Sequence, residues 1–585
     1  MKEYLKLVIF VGVIVFFLAQ IPSTETPRSL KLPPPKNVVV GTSYFANDLN
    51  LGTNASRSEE PTFYFDRCDL NNRDLFPTEI SQSKLVKSFT KLGKLIENIT
   101  SPDHTKVTVL NRKTKYSLCD RVIVKIEARD TLNRTKSYGG DIFRVKLFRK
   151  KPYAAVNADR FVDLNNGTYL AFFPILWEGY IDLQVMLVHP AEAIPLFAPT
   201  LNGSRAHMQT FLGGFESTDK NGNIHQESTI CTITEREVEP FCNFSDTKTY
   251  VPWYCSAPRD EHLNCTHWTT HRTDMKGIKA TLQTLIDKTG EELLRRSKTV
   301  VFRSNQLLVV PPQKKGVVQH YAQFRAGELP SCVRQGPPFL RTNGYFYDTE
   351  WFPFDCKIKK FTANDTLQCL KGKTIHFFGD STSRQLYSFL KAQLNCKDIE
   401  LEPPRLSSNF EKRCRIDNVT LHFSFHGLPI MGSTTNNVSG IKCASNEIDN
   451  IVGGPDYVIF LSLWAHFAMA GLDFYQKRIM SVKEAIQRLL VRSPGTTVLM
   501  KGANTRNYSV KQFILMSSDW EALQLEKTLR YLYKNDTFVG YIDTWDVTQV
   551  QPYADNIHPK AAVIANFVNN LLTYVCEDAV KARTK

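Results

Sequence analysis

From about residue 280 to the C-terminus, short apolar runs alternate with amphipathic helical patterns, and this alternation constrains the fold more than any other feature. Residues 374–378 (TIHFF), 419–426, 457–463 (YVIFLSL), 497–500 and 538–542 read as strands. Residues 383–394, 482–491, 519–533 and 561–576 carry apolar positions spaced by three and four and read as helices. Strands that are apolar almost throughout, joined by helices, predict a parallel sheet covered on both faces. In open α/β sheets ligands bind beyond the carboxyl ends of the strands, so candidate residues are sought there.

Residues 61–275 follow a different pattern. Segments 106–110, 121–127, 142–148 and 180–189 are short, β-branched and alternating, and turns such as Asn165-Asn166-Gly167 and Asn221-Gly222-Asn223 separate them. This spacing predicts a β-sandwich of the immunoglobulin-like kind. Six cysteines fall in this part, and Cys231, Cys242, Cys255 and Cys265 crowd together, which predicts a disulfide-stapled region. The expected organisation is therefore multidomain. A leader covers 1–22, a Pro-rich stem 23–60, a β-sandwich 61–275, and an α/β domain 280–585.

The leader is an uncharged run of 15 residues, LVIFVGVIVFFLAQI, preceded by Lys2 and Lys6. It is shorter than the roughly 20 residues of a full membrane span, so it reads as a cleaved signal peptide or a retained signal anchor. Either sends the chain into the secretory pathway, to the Golgi lumen on a type II anchor or to the outside. Twelve N-x-S/T sequons agree with glycosylation there. None of the 13 cysteines forms a C-x-x-C pair, so disulfides are expected rather than a zinc ribbon. The odd count leaves at least one unpaired within the chain. The net charge of +15 reads equally as a solvated surface or as attraction to acidic glycans or a phosphate-bearing donor, and nucleic acid is not an expected partner in the secretory lumen.

At the carboxyl end of the first α/β strand stand Gly379-Asp380-Ser381. A strand, a tight turn and a helix place the Ser381 hydroxyl at a helix N-terminus, where converging N–H groups favour a developing oxyanion. A serine nucleophile needs a base, and the base an orienter. Asp555-Asn556-Ile557-His558-Pro559, in the loop before the last helix, offers both. Asp555 would accept from the His558 ring and leave the other ring nitrogen to face Ser381. His376, His422, His426 and His466 are spread over separate segments without ligand spacing, so no metal site is expected.

Phe378-Gly379-Asp380-Ser381, followed by Arg384 and closing with Asp555-x-x-His558, resembles the PC-esterase branch of the SGNH/GDSL hydrolases; Leu463-Trp464-Ala465-His466 is similar too. With the β-rich, cysteine-bearing region in front, residues 60–585 resemble the neurexophilin and PC-esterase domain (NXPE) family. The resemblance implies a neurexophilin-like front domain and an SGNH-type rear domain with Ser381 as nucleophile and Asp555 and His558 completing a triad. SGNH enzymes usually complete the oxyanion hole with a Gly and an Asn from two further blocks. Gly427 matches the first; no convincing Gly-x-Asn matches the second, where Trp464 and His466 stand as in sugar O-acetyltransferases of this type. Gly379, Asp380, Arg384, Gly427, Trp464 and His466 are thus the expected oxyanion and substrate residues, with Arg384 orienting Asp380 or holding a donor.

Three functions follow as expectations. The first is a luminal O-acetyltransferase acting on a glycan or glycoprotein, sialic acid among the candidates, with acetyl-CoA as donor and no bound cofactor. The second is a carbohydrate O-acetyl esterase using the same triad. The third is a non-catalytic secreted or cell-surface binding protein, whose N-terminal domain would meet a cell-surface protein partner.

Overall fold

The structure is a computed structural model. It describes residues 95–235, 240–304, 306–310, 329–334, 336–337, 342–399, 410–507 and 511–583. The leader, the stem, Cys68 and Asn54 lie outside the described residues.

The front part begins with a four-stranded antiparallel sheet in the order Lys106–Val109, Arg121–Glu127, Thr168–Pro174, Arg160–Asp163. Arg121–Glu127 buries every second residue, as its alternation predicts. Val122, Val124 and Ile126 share one core with Val145, Leu147, Leu183 and Val185 of a second, larger sheet. That sheet runs Thr299–Arg303, Gly179–His189, Ile142–Lys150, Tyr153–Asn157, Gly344–Tyr347, Glu350–Pro353, with Leu307–Val309 also paired to Gly179–His189. The boundary expected at 275–280 therefore does not separate the sheets. Gly179–His189 and Tyr153–Asn157 fill the two edges of the central Ile142–Lys150, and the strands between 299 and 353 complete the sheet by pairing with the outer edges of those two.

A third sheet is antiparallel, in the order Phe241–Asn243, Tyr254–Ser256, Ile224–Thr232, Phe211–Thr218, Trp268–Thr273, Asn436–Asn437. The cysteine-dense stretch is stapled here by Cys231–Cys255, which are directly opposed across two strands, and by Cys242–Cys265. Further bridges join Cys332–Cys356, Cys369–Cys576 and Cys396–Cys414, and Cys119 is disulfide-bonded as well. Cys443 is free.

The rear sheet has seven strands: Lys397–Asp398, Glu411–Ile416, Val419–Phe425, Thr374–Gly379, Tyr457–Ser462, Thr497–Lys501, Val539–Ile542. The last five are parallel; Glu411–Ile416 and Lys397–Asp398 add an antiparallel edge. Alternate residues serve opposite faces. Ile375, Phe377, Val458 and Phe460 pack against the helices Ser381–Leu394 and Ala561–Arg583. Phe378, Ile459 and Leu461 pack toward Leu472–Arg492 and Asp519–Tyr533. Burial on both faces is why these strands read as continuous apolar runs. No helix among the described residues is long and apolar enough to cross a membrane.

Candidate active site

Thr374–Gly379 ends at Gly379, whose φ is +154°. A Cβ there would lie 2.2 Å from the Ser462 carbonyl oxygen of the neighbouring strand, so the turn needs glycine. Asp380 follows as N-cap. Its buried carboxylate accepts from the Thr382 N–H (2.8 Å) and hydroxyl (2.7 Å) and from the Ala465 N–H (2.8 Å). Ser381 is thereby fixed at the first position of its helix, where the N–H groups have no intrahelical partner.

The loop before the last helix brings His558 to this point. His558 Nε2 lies 2.8 Å from Ser381 Oγ. The carbonyls on either side of His558 are both held: Ile557 accepts from Asn504 Nδ2 at 2.8 Å and Pro559 from Gln385 Nε2 at 2.6 Å. The His558 N–H donates to Asn556 Oδ1 at 2.9 Å. Partial burial lowers the imidazole's affinity for a proton, and the charges of Arg384, Arg506 and Lys501 lower it further against the opposing pull of Asp380. These effects favour the neutral ring, the form in which an imidazole can accept a proton.

The expected hydrogen bond from His558 to Asp555 is not formed. The Asp555 carboxylate accepts from Arg144 Nη1 at 2.9 and 3.0 Å and from Lys298 Nζ at 3.0 Å. Both cations also reach Asp519, at 3.0 and 2.8 Å. Burial alone would raise the Asp555 pKa; Arg144 and Lys298 outweigh it and hold the group at about 2. Two charge-assisted contacts outcompete one to a neutral imidazole, and this draws the carboxylate away from the ring.

The other expected residues divide. Trp464 is buried and supports the turn, its ring N–H donating to the Thr382 hydroxyl at 3.3 Å. His466 is buried against His426, ring nitrogens 3.0 Å apart, and burial pushes its pKa down to about 4. Gly427 lies in a buried turn with φ +91°, beside Cys443 and Lys442. Arg384 does not pair with Asp380: its guanidinium sits 5.5 Å from the centre of the Phe425 ring, and the Asp380 oxygens are taken by Thr382 and backbone N–H groups.

Sequence reading missed Asn504, Gln385, Arg144 and Lys298. A Gly-x-Asn does stand in the chain, as Gly502-Ala503-Asn504, directly after Thr497–Lys501. Its Asn504 is fully buried and is spent on the Ile557 carbonyl and on Lys501 Nζ (2.8 Å). Among the described residues, ligand-type atoms converge in one group suited to a metal ion, His225, Asp260 and His262 in the front part; His376 and His422 instead face each other at 3.1 Å.

Residues 351–576 match the family model described as NXPE family member 4-like, C-terminal domain, and residues 89–285 match the Neurexophilin model. This chain belongs to the NXPE family. A xyloglucan O-acetyltransferase 2 from Populus trichocarpa is 39% identical to this NXPE chain over 77 residues, 13% of the chain and 16% of that protein's length. A solved structure of an active-site mutant of a family two carbohydrate esterase from Clostridium thermocellum, in complex with celluohexase, matches over 68% of the NXPE chain and 91% of its own. Its sequence identity is 8% and its TM-score 0.20.

Proposed function

We propose that the chain is a serine acyltransferase of the secretory pathway that O-acetylates a glycan, sialic acid being one candidate acceptor. The observation that carries this reading is the 2.8 Å contact between Ser381 Oγ and His558 Nε2 at a helix N-terminus. The short similarity to a plant sugar O-acetyltransferase supports the direction of the chemistry. Ser381 Oγ attacks the carbonyl carbon of an acetyl thioester, taken to be acetyl-CoA, while His558 Nε2 accepts the hydroxyl proton. The C–S bond breaks, and the leaving thiolate takes that proton from His558. A sugar hydroxyl then attacks the acetyl-serine as His558 accepts its proton, and the ester bond to Ser381 breaks with return of the proton to Oγ. The N–H groups of Thr382, Ser383 and Arg384 are taken by Asp380, so at the helix start it is the Ser381 N–H that faces the negative charge developing on the acyl oxygen. Asp555 acts on His558 indirectly, by anchoring the loop that carries it.

A secretory setting is supported by the disulfides and by the sequons. Of the eleven sequon asparagines among the described residues, ten are exposed and Asn437 is half-buried. An esterase working in the opposite direction has one observation in its favour, the exposure of His558, which lets water reach the acyl-enzyme.

Wild type and Ser381→Ala, expressed in cells that carry O-acetylated glycans, separate these readings when O-acetyl groups on released glycans are quantified by mass spectrometry. A Ser381-dependent gain establishes the transferase and identifies the sugar. A Ser381-dependent loss establishes the esterase. Equal O-acetylation at equal expression refutes catalysis at this site.

A further inference from the structure

Beside the loop that carries His558 lies a cavity of about 490 Å³ that the acyl-transfer chemistry leaves unused. One wall is the front sheet, through Ile142–Lys150, Gly179–His189 and Thr299–Arg303; the other is the loop Gln551 to Asp555, which runs on to His558 three residues later. Five cations line it: Arg144, Lys146, Lys150, Lys298 and Arg303. Arg144 and Lys298 are shared with Asp519 and Asp555. Lys146, Lys150 and Arg303 have no carboxylate partner among the described residues.

Like charges gathered in a half-enclosed space repel one another, and a protein keeps them there when an anion binds between them. Burial does most to push the Lys146 pKa down to about 8; Arg144 and Arg303 add to it, against the opposing pull of Asp555. The number of cations selects the anion. One sugar carboxylate carries a single charge and is matched by a single Arg fork. A phosphate monoester carries about −1.5 to −2 at pH 7, so two phosphates balance the three unpartnered cations. The volume is that of a small-molecule site, not of an open groove for a glycan chain. Tyr153 and Tyr553 on the lining offer aromatic faces for a planar base.

We propose that this cavity binds the phosphates of a nucleotide-type acyl donor, with Lys146, Lys150 and Arg303 as its anion ligands. The role as a donor site rests on the acyl-transfer reading; binding itself does not. The test is calorimetric titration of the purified full chain with adenosine 3′,5′-bisphosphate, a probe with phosphates and base but no acyl group, and in parallel with N-acetylneuraminic acid.

The bisphosphate is expected to bind wild type and Ser381→Ala with equal affinity and to bind more weakly as salt is raised. It should bind Lys146→Gln/Arg303→Gln at least about tenfold more weakly. Should the half-buried Lys146 substitution disturb folding, Lys150→Gln/Arg303→Gln, at two exposed positions, carries the same expectation. No binding of the bisphosphate, or binding unchanged in both double variants, overturns the proposal. So does Lys146- and Arg303-dependent binding of the acidic sugar alone. Ser381→Ala keeps this result separate from the catalytic reading: a chain that binds the bisphosphate but transfers no acetyl group retains the pocket and loses the enzyme.

Discussion

His558 has a lowered proton affinity and no carboxylate at its ring, and both facts have measurable consequences if it is the base proposed above. A base must be neutral, so activity falls as pH drops through the folded-state pKa. Burial lowers that value, and the acid limb of kcat/KM for a chromogenic acetyl ester should fall below the ordinary histidine pKa of about 6.5. A limb above 6.5 would mean that Asp555 has left Arg144 and Lys298 and reached the ring. Asp555→Asn tests the same point from the other side. With the carboxylate tied to two cations, its removal should cost about 3 kcal/mol of stability, measured by denaturant unfolding. The depressed pKa of Asp555 sets the pH window. Its contribution is whole above the unfolded value of about 3.9 and is lost as pH falls toward 2. The variant should therefore lack that part of the acid-induced loss. A stable Asp555→Asn with kcat down about 10⁴-fold would restore the orienting role. The meeting of Ser381 and His558 was legible because one follows a strand end and the other precedes the last helix, each within its own motif. The partner of Asp555 was not, since Arg144 stands 411 residues away and nothing local records the competition.

The elements around the site are held by backbone fit rather than by side-chain chemistry alone. Gly379→Ala would drive a Cβ against a carbonyl oxygen of the adjacent parallel strand, which cannot move without breaking the sheet register. A loss of more than about 3 kcal/mol is expected, read as a drop in melting temperature; a stable variant would refute the close approach. Asn504→Ala should act differently. It frees the Ile557 carbonyl and leaves the buried Lys501 ammonium short of an acceptor. The His558 loop loses one of its two clamps, so kcat should fall roughly tenfold to a hundredfold with KM little changed. Equal losses in kcat and stability-limited yield would point to a merely structural role. Strands and helices of the rear sheet were readable because two-sided burial writes continuous apolar runs. Glu411–Ile416 was not, because EKRCRI lies one short strand from the sheet's edge, buries only Glu411 and Cys414 and therefore carries no apolar period. Gly502-Ala503-Asn504 was passed over for a similar reason, since its polar residue serves a loop rather than a motif at the expected strand.

At the scale of the whole molecule, the front and rear parts are built into one another. Phe148, Ala155 and Phe346 from the front sheet belong to the same core as Phe377 and Leu571 of the rear. Ile194 and Phe197 share a core with Ile514 and Leu515, and Asn436–Asn437 forms the last strand of a front sheet. Polar contacts run with the apolar ones: Tyr153 donates to the Val550 carbonyl at 2.6 Å, the buried Thr200 to that of Leu515 at 2.8 Å, and the Asn343 N–H to Asp546 at 2.9 Å. A cut anywhere near 280 leaves Ile142–Lys150 in a sheet without its distal strands and exposes core residues on both pieces. The full chain should therefore unfold in a single calorimetric transition, with the van't Hoff and calorimetric enthalpies in agreement. Residues 280–585 expressed alone should give no cooperative transition and should bind a hydrophobic dye, because strands 299–303, 307–309 and 344–353 have lost the sheet they complete. If that fragment instead melts cooperatively near the temperature of the full chain, the shared cores contribute little, and the loop carrying His558 does not need Arg144 from the front sheet to hold its place.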